Sequence, residues 1–457
     1  MSKSPRPEDF FSESPPARII GTESECNIQS REGLSEYSYI SAEAIAASGH
    51  NAVGEFFDNG ARIYVDLQHL EVDTPESLGP RQAAAADMAA VRLLADVVEA
   101  SGLPHGGLYR QSGTVIKNIQ QTSGYHENFL IPRSITRQDS FRPIIASHLT
   151  SRVWATAGIV ARNFQLSQKV SGIGDPPITS SYLRRTHQGR KPMAMVPSFE
   201  NDQGTLGPNP EWARLEVRFA DPSFSSTSRY LGLAATSLVL RLIEHHDLID
   251  TEELINLSFL EYAASARKFS NDLSFSTVAE TISGINISAI DYQELLIEAC
   301  LELSEKIELP QDELDAIDPW LDVCDRLRDC DLNAGEYAGL LTLLDFAPRH
   351  RYLTRHFESK DLHSYNPNAV EANLIWDRIL PIGGGLIYWQ KTPSSYISED
   401  EVDELLWSPP DTRAAIRGNL IRKYPNRIKN VKWASIDVEG KTGNVSLDDP
   451  YATSIKD

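Results

Sequence analysis

Cysteine is scarce. The chain has four in 457 residues, Cys26, Cys300, Cys324 and Cys330, and no Cys-x-x-Cys pair. That excludes a zinc ribbon and a thioredoxin motif, and sparse cysteine fits a reducing cytoplasm. No apolar run is long. The longest, near Tyr230 to Leu240, falls short of the roughly 20 residues a membrane span needs and reads as a buried helix. The opening residues, MSKSPRPEDFFSESPPAR, lack the apolar region of a signal peptide. Basic residues are outnumbered, 43 Lys and Arg against 64 Asp and Glu, for a net charge of −21. Phosphate contacts need a basic surface, so this balance argues against general nucleic-acid binding. There is no Walker A loop and no Gly-x-Ser-x-Gly elbow. Gly172-Ile-Gly174, followed by Asp175-Pro-Pro177, does not complete a dinucleotide fingerprint. Any nucleotide used here is bound without those standard cradles.

What is present is charge on strands. Arg18-Ile-Ile-Gly-Thr-Glu-Ser-Glu25, Arg62-Ile-Tyr-Val-Asp66 and Arg214-Leu-Glu-Val-Arg218 each interleave charged and apolar residues. Alternate residues of a strand share a face. Glu23 therefore lies with Glu25, Tyr64 with Asp66, and Arg214 with Glu216 and Arg218. Clustered carboxylates repel unless cations neutralise them, which points to a divalent metal with oxygen ligands. The plainer alternative for Glu23 and Glu25 is an exposed edge strand. For Glu216 it is a salt bridge to its flanking arginines, which can otherwise clamp phosphate or carboxylate. A half-buried Asp66 beside cations can act as base or nucleophile, or else cap a strand end. His69 and Glu71 share a face if the strand continues past Asp66. The turn Thr122-Ser-Gly-Tyr-His-Glu-Asn128 delivers His126 and Asn128 from one face.

Hydrophobic content of 41% and charged content of 23% suit a globular enzyme with a large core. Residues 1–16, rich in Pro, Ser and acid, read as a flexible tail. Pro80 opens a strong helix closed by Gly102. Residues 141–163 read as helix, 164–168 as a strand, 228–244 as a helix, and 251–348 as mostly helical. The acidic stretch 302–330 reads as solvated helix faces. Residues 17–397 form the large catalytic domain and 398–457 a small C-terminal α/β domain.

Taken in order, RIIGTESE (18–25), NGARIYVD (59–66), HLE (69–71), GYHEN (124–128), FQLSQ (164–168), RLEVRFADPS (214–223), PPDTRAAIRG (409–418) and WASIDVE (433–439) resemble the family of the Pup ligase and the Pup deamidase/depupylase. This family lies within the carboxylate–amine ligases that include glutamine synthetase. The resemblance implies an α+β fold, with a curved antiparallel sheet cradle of the glutamine synthetase type backed by helices and a small C-terminal domain. It implies ATP with Mg²⁺ (or Mn²⁺). Glu23, Glu25, Glu71, His126 and Glu216 would hold metal. Arg214, Arg218 and Asn128 would hold phosphates or a substrate carboxylate. Asp66 would be the base of a ligase or the nucleophile or water activator of a hydrolase, with Tyr64 flanking the metal. Implied partners are ATP, a carboxylate-bearing small molecule or Pup-like protein, and a protein lysine. Glu216 stands where the family usually has His, as in the R-x-E-x-R strand of glutamine synthetase. A long loop of the depupylases, between the first two strands, has little room in residues 26–58.

Overall fold

The computed structural model describes residues 4–30, 34–110, 114–116, 119–121, 123–180, 190–392, 396–440 and 443–455. A 12-stranded sheet organises the large part of the chain. Its strands are β1 (Ile19–Ser30), β2 (Ala52–Val53), β3 (Phe56–Phe57), β4 (Arg62–Asp66), β5 (His69–Asp73), β6 (Ser77–Leu78), β7 (His105–Arg110), β8 (Tyr125–Pro132), β9 (Ile178–Thr179), β10 (Ala194–Met195), β11 (Trp212–Val217) and β12 (Arg378–Leu380). The spatial order is β9-β10-β11-β8-β1-β5-β4-β3-β2, with β6 and β7 also on β1 and β12 on β7. The pairs are antiparallel except β9 with β10, so the sheet is mixed rather than wholly antiparallel.

Burial along β1 alternates, with Thr22, Ser24 and Cys26 buried and Glu23 and Glu25 half-buried. The buried side faces α1 (Gly79–Ala100), which packs in turn on the almost entirely buried α2 (Ser226–Glu244). α1 forms where expected. Gly79 takes a positive φ of 77°, Pro80 suits the first turn, and Gly102 (φ 62°) ends the run. Asp87 of α1 fixes the back of the sheet: it accepts two bonds from Arg110 (2.7 and 2.6 Å) and one from Thr22 Oγ1 (2.9 Å). α2 is capped by Ser225, which accepts from Ser228 N. No helix among the described residues is long and apolar enough to cross a membrane.

Several expectations change. The supposed tail is anchored from Pro7: a 3₁₀ turn covers Pro7–Phe11, and Phe10 is 0% exposed. Phe10 packs between the guanidinium groups of Arg18 and Arg241 (5.1 Å to each) and edge-on to Trp212. Its polar neighbours in sequence conceal that anchor; residues 1–3 lie outside the described set. The helix expected over 141–163 stops at Ser151 and yields to a 3₁₀ turn and a short strand, Ile159–Val160. The 164–168 strand shrinks to Phe164–Gln165. Within the acidic stretch, Glu313 is fully buried because Arg241 binds it (2.9 Å).

The C-terminal part has its own small core of Ile416, Leu420, Ile436, Val438, Val445 and Leu447. It comprises α3 (Arg413–Lys423) and a three-stranded antiparallel sheet, Ile428–Lys432, Ser435–Val438 and Gly443–Ser446. A clamp joins it to the large part: Glu76 binds Arg413 (2.6 Å) and Arg417 (2.5 Å), all three buried. Burial alone would raise the Glu76 carboxyl, but the two arginines outweigh it and hold it at about 2. A carboxyl depressed from 4.5 contributes its stability above that value and loses it as pH falls toward 2. Arg417→Met leaves a buried charge underpaired. Urea titration of this variant is expected to show a loss of about 3–5 kcal/mol at neutral pH, and a flatter loss of stability than the wild type as pH falls from 4.5 to 2.

Candidate functional site

The exposed side of β1, β4, β5, β8 and β11 floors a cleft of about 510 Å³. The ten residues to which the resemblance gives a site role all line it: Glu23, Glu25, Tyr64, Asp66, Glu71, His126, Asn128, Arg214, Glu216 and Arg218. Register explains the convergence. Antiparallel pairing sets Glu23 opposite His126 and Asp73, Glu25 opposite Glu71, Tyr64 opposite Glu71, and Asn128 opposite Glu216. Cross-strand partners at one level share a face.

The chain does not continue past Asp66 as a strand. It reverses through Leu67 and Gln68, and β5 runs back with Asp66 opposite His69. Glu71 therefore returns to the cleft. His69 is spent on Asn27, with Nδ1 2.9 Å from Oδ1.

Two acid groups form. In one, single oxygens of Glu25, Asp66 and Glu71 all lie within 4.8 Å of one another. In the other, Glu23 Oε2 is 2.8 Å from His126 Nδ1, and Glu216 Oε1 is 4.0 Å from the same nitrogen. Asn128 donates to Glu23 Oε1 at 3.0 Å. Arg214 donates to Asn128 Oδ1 (2.6 Å) and Asp202 Oδ1 (3.1 Å) and approaches Glu216 Oε2 (3.3 Å). Arg218 Nε binds Glu216 Oε1 (2.5 Å). The salt-bridge alternative for Glu216 thus holds in this structure.

The charges are unevenly compensated. Burial would raise Glu23, but His126, Arg214 and Asn128 outweigh it and hold the carboxyl at about 2. Across the cleft, burial first, then the Asp73, Glu23 and Glu25 carboxylates, push Glu71 up to about 10. Asp73 is also driven far above the usual carboxylate range, by burial and by Glu23, despite Arg62 and Arg214. Its Oδ1 is buried without a hydrogen-bond partner. Tyr64 is raised by burial and by Asp73, so it stays a neutral phenol, with Arg62 over its ring at 3.8 Å. Three carboxylate oxygens this close, with the orphaned Asp73 Oδ1 lining the same cleft, fit a divalent ion of the Mg²⁺ or Mn²⁺ type.

The sequence reading missed Asp73, Arg62, Arg413 and Trp433, which also line the cleft. Gly124 is a further requirement. A Cβ there would sit 2.3 Å from Glu25 Oε1 and 3.0 Å from His126 Cε1. Lys169, after FQLSQ, is buried and donates to the carbonyls of Tyr125 (2.8 Å) and Arg218 (3.1 Å), tying β8 to the end of β11. Burial lowers it to about 7.

An α+β enzyme of the ligase and depupylase class is what this fold and cleft define. The chain belongs to the Pup-ligase protein family, whose model matches residues 4–437. A depupylase from Acidothermus cellulolyticus is 26% identical over 402 residues, 84% of this chain and 75% of that protein. A Pup-protein ligase from Acidimicrobium ferrooxidans is 25% identical over 466 residues, 95% of this chain and 96% of that protein. Two solved structures share the fold. The complex of the prokaryotic ubiquitin-like protein Pup with its ligase PafA has a TM-score of 0.79 at 18% identity, covering 97% of this chain and 91% of that one. PafA with ADP has 0.72 at 18% identity, covering 94% of each.

Two outcomes follow from the crowded acids. Because Glu71 is held protonated at neutral pH, cation binding must expel its proton. Titration calorimetry with Mn²⁺ in buffers of different ionisation enthalpy is expected to show about one proton released per ion at pH 7, with affinity rising as pH rises. Gly124→Ala displaces the flexible end of Glu25 rather than backbone. It is expected to weaken Mn²⁺ binding about 10-fold or more while costing under about 1 kcal/mol in denaturant.

Proposed function

We propose that this cleft joins a carboxylate to an amine at the expense of ATP, forming an isopeptide-type bond between a Pup-like protein and a protein lysine by way of an acyl phosphate. The observation that carries the reading is the convergence of Glu25, Asp66 and Glu71 on one point, with Arg214 and Arg218 also lining the cleft. Support comes also from the end-to-end match to a Pup-protein ligase and from the fold shared with PafA bound to ADP.

Each residue then has a role. Glu23, Glu25, Glu71, His126 and Glu216 would hold Mg²⁺ or Mn²⁺, with Asp66 converging on Glu25 and Glu71. When bound, such ions neutralise phosphate charge as phosphoryl transfers. Arg214 and Arg218 exchange their contacts with Glu216 for phosphate or carboxylate oxygens, and Asn128 orients Arg214. Tyr64, two residues before Asp66 on β4, serves as a neutral hydroxyl beside Glu71. Asp66 takes the proton as the amine nitrogen attacks the acyl carbon and inorganic phosphate leaves.

The second reading is hydrolysis, as a depupylase or deamidase or as an ATP-consuming phosphatase, with Asp66 as nucleophile or water activator. It is favoured by the comparable identity to a depupylase, 26%. Against it stands the quarter of that protein left unmatched, where the ligase matches over 96% of its length.

Phosphate release from ATP separates the two. Ligation predicts release only when Mg²⁺, a Pup-like protein ending in glutamate and a lysine donor are all present, and a drop of about 10²-fold or more in Asp66→Asn. Release without any amine, lost in Asp66→Asn, would establish the hydrolytic reading instead.

A further inference from the structure

Leu67 sits where hairpin chemistry does not want it. The two-residue turn Leu67-Gln68 joins β4 to β5, and Leu67 has φ of 54°. Tight hairpins at such φ select Gly, Asn or Asp, and a bulky side chain there is strained. Burial can offset strain of this kind. Phe275, also at positive φ (55°), is 8% exposed and packed in the core. Leu67 has no such return: it is 87% exposed, the most exposed large apolar side chain among those described. Its position is also specific. It follows Asp66 directly and lines the mouth of the cleft. Strain that local packing does not offset, beside reactive groups, is characteristic of functional contacts.

We propose that Leu67 is a specificity-determining contact for the lysine-bearing protein, seating an apolar residue that flanks the target lysine. The inference rests on Asp66 acting at the amine, as set out above. An amine within hydrogen-bond reach of Asp66 brings its neighbouring residues to Leu67, whose Cα is about 3.8 Å further along the chain. Because Leu67 projects outward rather than onto the floor, it meets the partner that arrives from solvent. The chemistry recognised is a lysine in an apolar setting.

The test uses the full chain with ATP, Mg²⁺ and Pup, and two acceptor peptides, Gly-Leu-Lys-Leu-Gly and Gly-Ser-Lys-Ser-Gly. Pup conjugates of the same peptides serve as substrates for the hydrolytic direction. Wild-type protein is expected to favour the leucine-flanked peptide in kcat/KM by about fivefold, the scale of one partly buried leucine contact. Leu67→Gly and Leu67→Asn are expected to bring that ratio to about 1 and to melt at or above the wild-type temperature, since both tolerate positive φ. A leucine that is merely strained would also give higher-melting variants but would leave the peptide ratio unchanged. An unchanged ratio, a wild-type ratio of 1, or variants that melt lower would each overturn the inference. If the wild type turns over neither peptides nor conjugates, the proposed activity falls. That outcome overturns this inference as well, whereas turnover with an unchanged ratio overturns the inference alone.

Discussion

Like-charge repulsion on one face of the sheet is the constraint on which the rest of the site depends. Glu23, Glu25, Asp66, Glu71 and Asp73 share a cleft of about 510 Å³. Two carboxylates about 4 Å apart repel by about 4 kcal/mol at an effective dielectric of about 20. The protein meets this in two ways. On the β8 and β11 bank, His126, Asn128 and Arg214 keep Glu23 ionised. On the β5 bank compensation falls short: Glu71 is pushed up to about 10, and burial and Glu23 drive Asp73 well above the usual carboxylate range. That asymmetry leaves one bank settled and the other, in the proposed reading, open to exchanging a proton for a cation.

Holding the acids together requires a rigid support, and the back of the sheet supplies it. Thr22, between two cleft-facing neighbours, bonds Asp87, which in turn holds Arg110. Glu127, between His126 and Asn128, binds Arg152 (2.8 Å). β1 and β8 thus present charge to the cleft on one side and are anchored by buried polar contacts on the other. Buried pairs of this kind add little net stability but fix register, and register decides which side chains meet. The C-terminal part joins the same scheme through Glu76, Arg413 and Arg417, and Arg413 and Trp433 complete the wall of the cleft.

Much of the site was legible in the sequence because strand periodicity is simple. Glu23 with Glu25, Tyr64 with Asp66, and Arg214 with Glu216 and Arg218 needed only a period of two. Asp73 was not legible, because its side of β5 depends on the reversal at Leu67-Gln68, a turn without the usual Gly or Asn. The partners of Glu76 were hidden by 337 and 341 residues of separation. Phe10 was hidden by its polar neighbours, since its burial rests on two arginines distant in sequence. The short strand at Ile159–Val160 was mistaken for helix, as short apolar runs carry no decisive period. Local pattern gave the faces; pairing across long separations gave the rest.

The central claim is that Glu25, Asp66 and Glu71 converge to receive a divalent cation. Anomalous diffraction from crystals of the protein soaked in Mn²⁺ and an ATP analogue tests it most directly. The account predicts a strong peak bounded by these three carboxylates, lost in crystals of Glu71→Gln. Bound analogue with no peak there, and the three carboxyl groups hydrogen-bonded to one another, would contradict it.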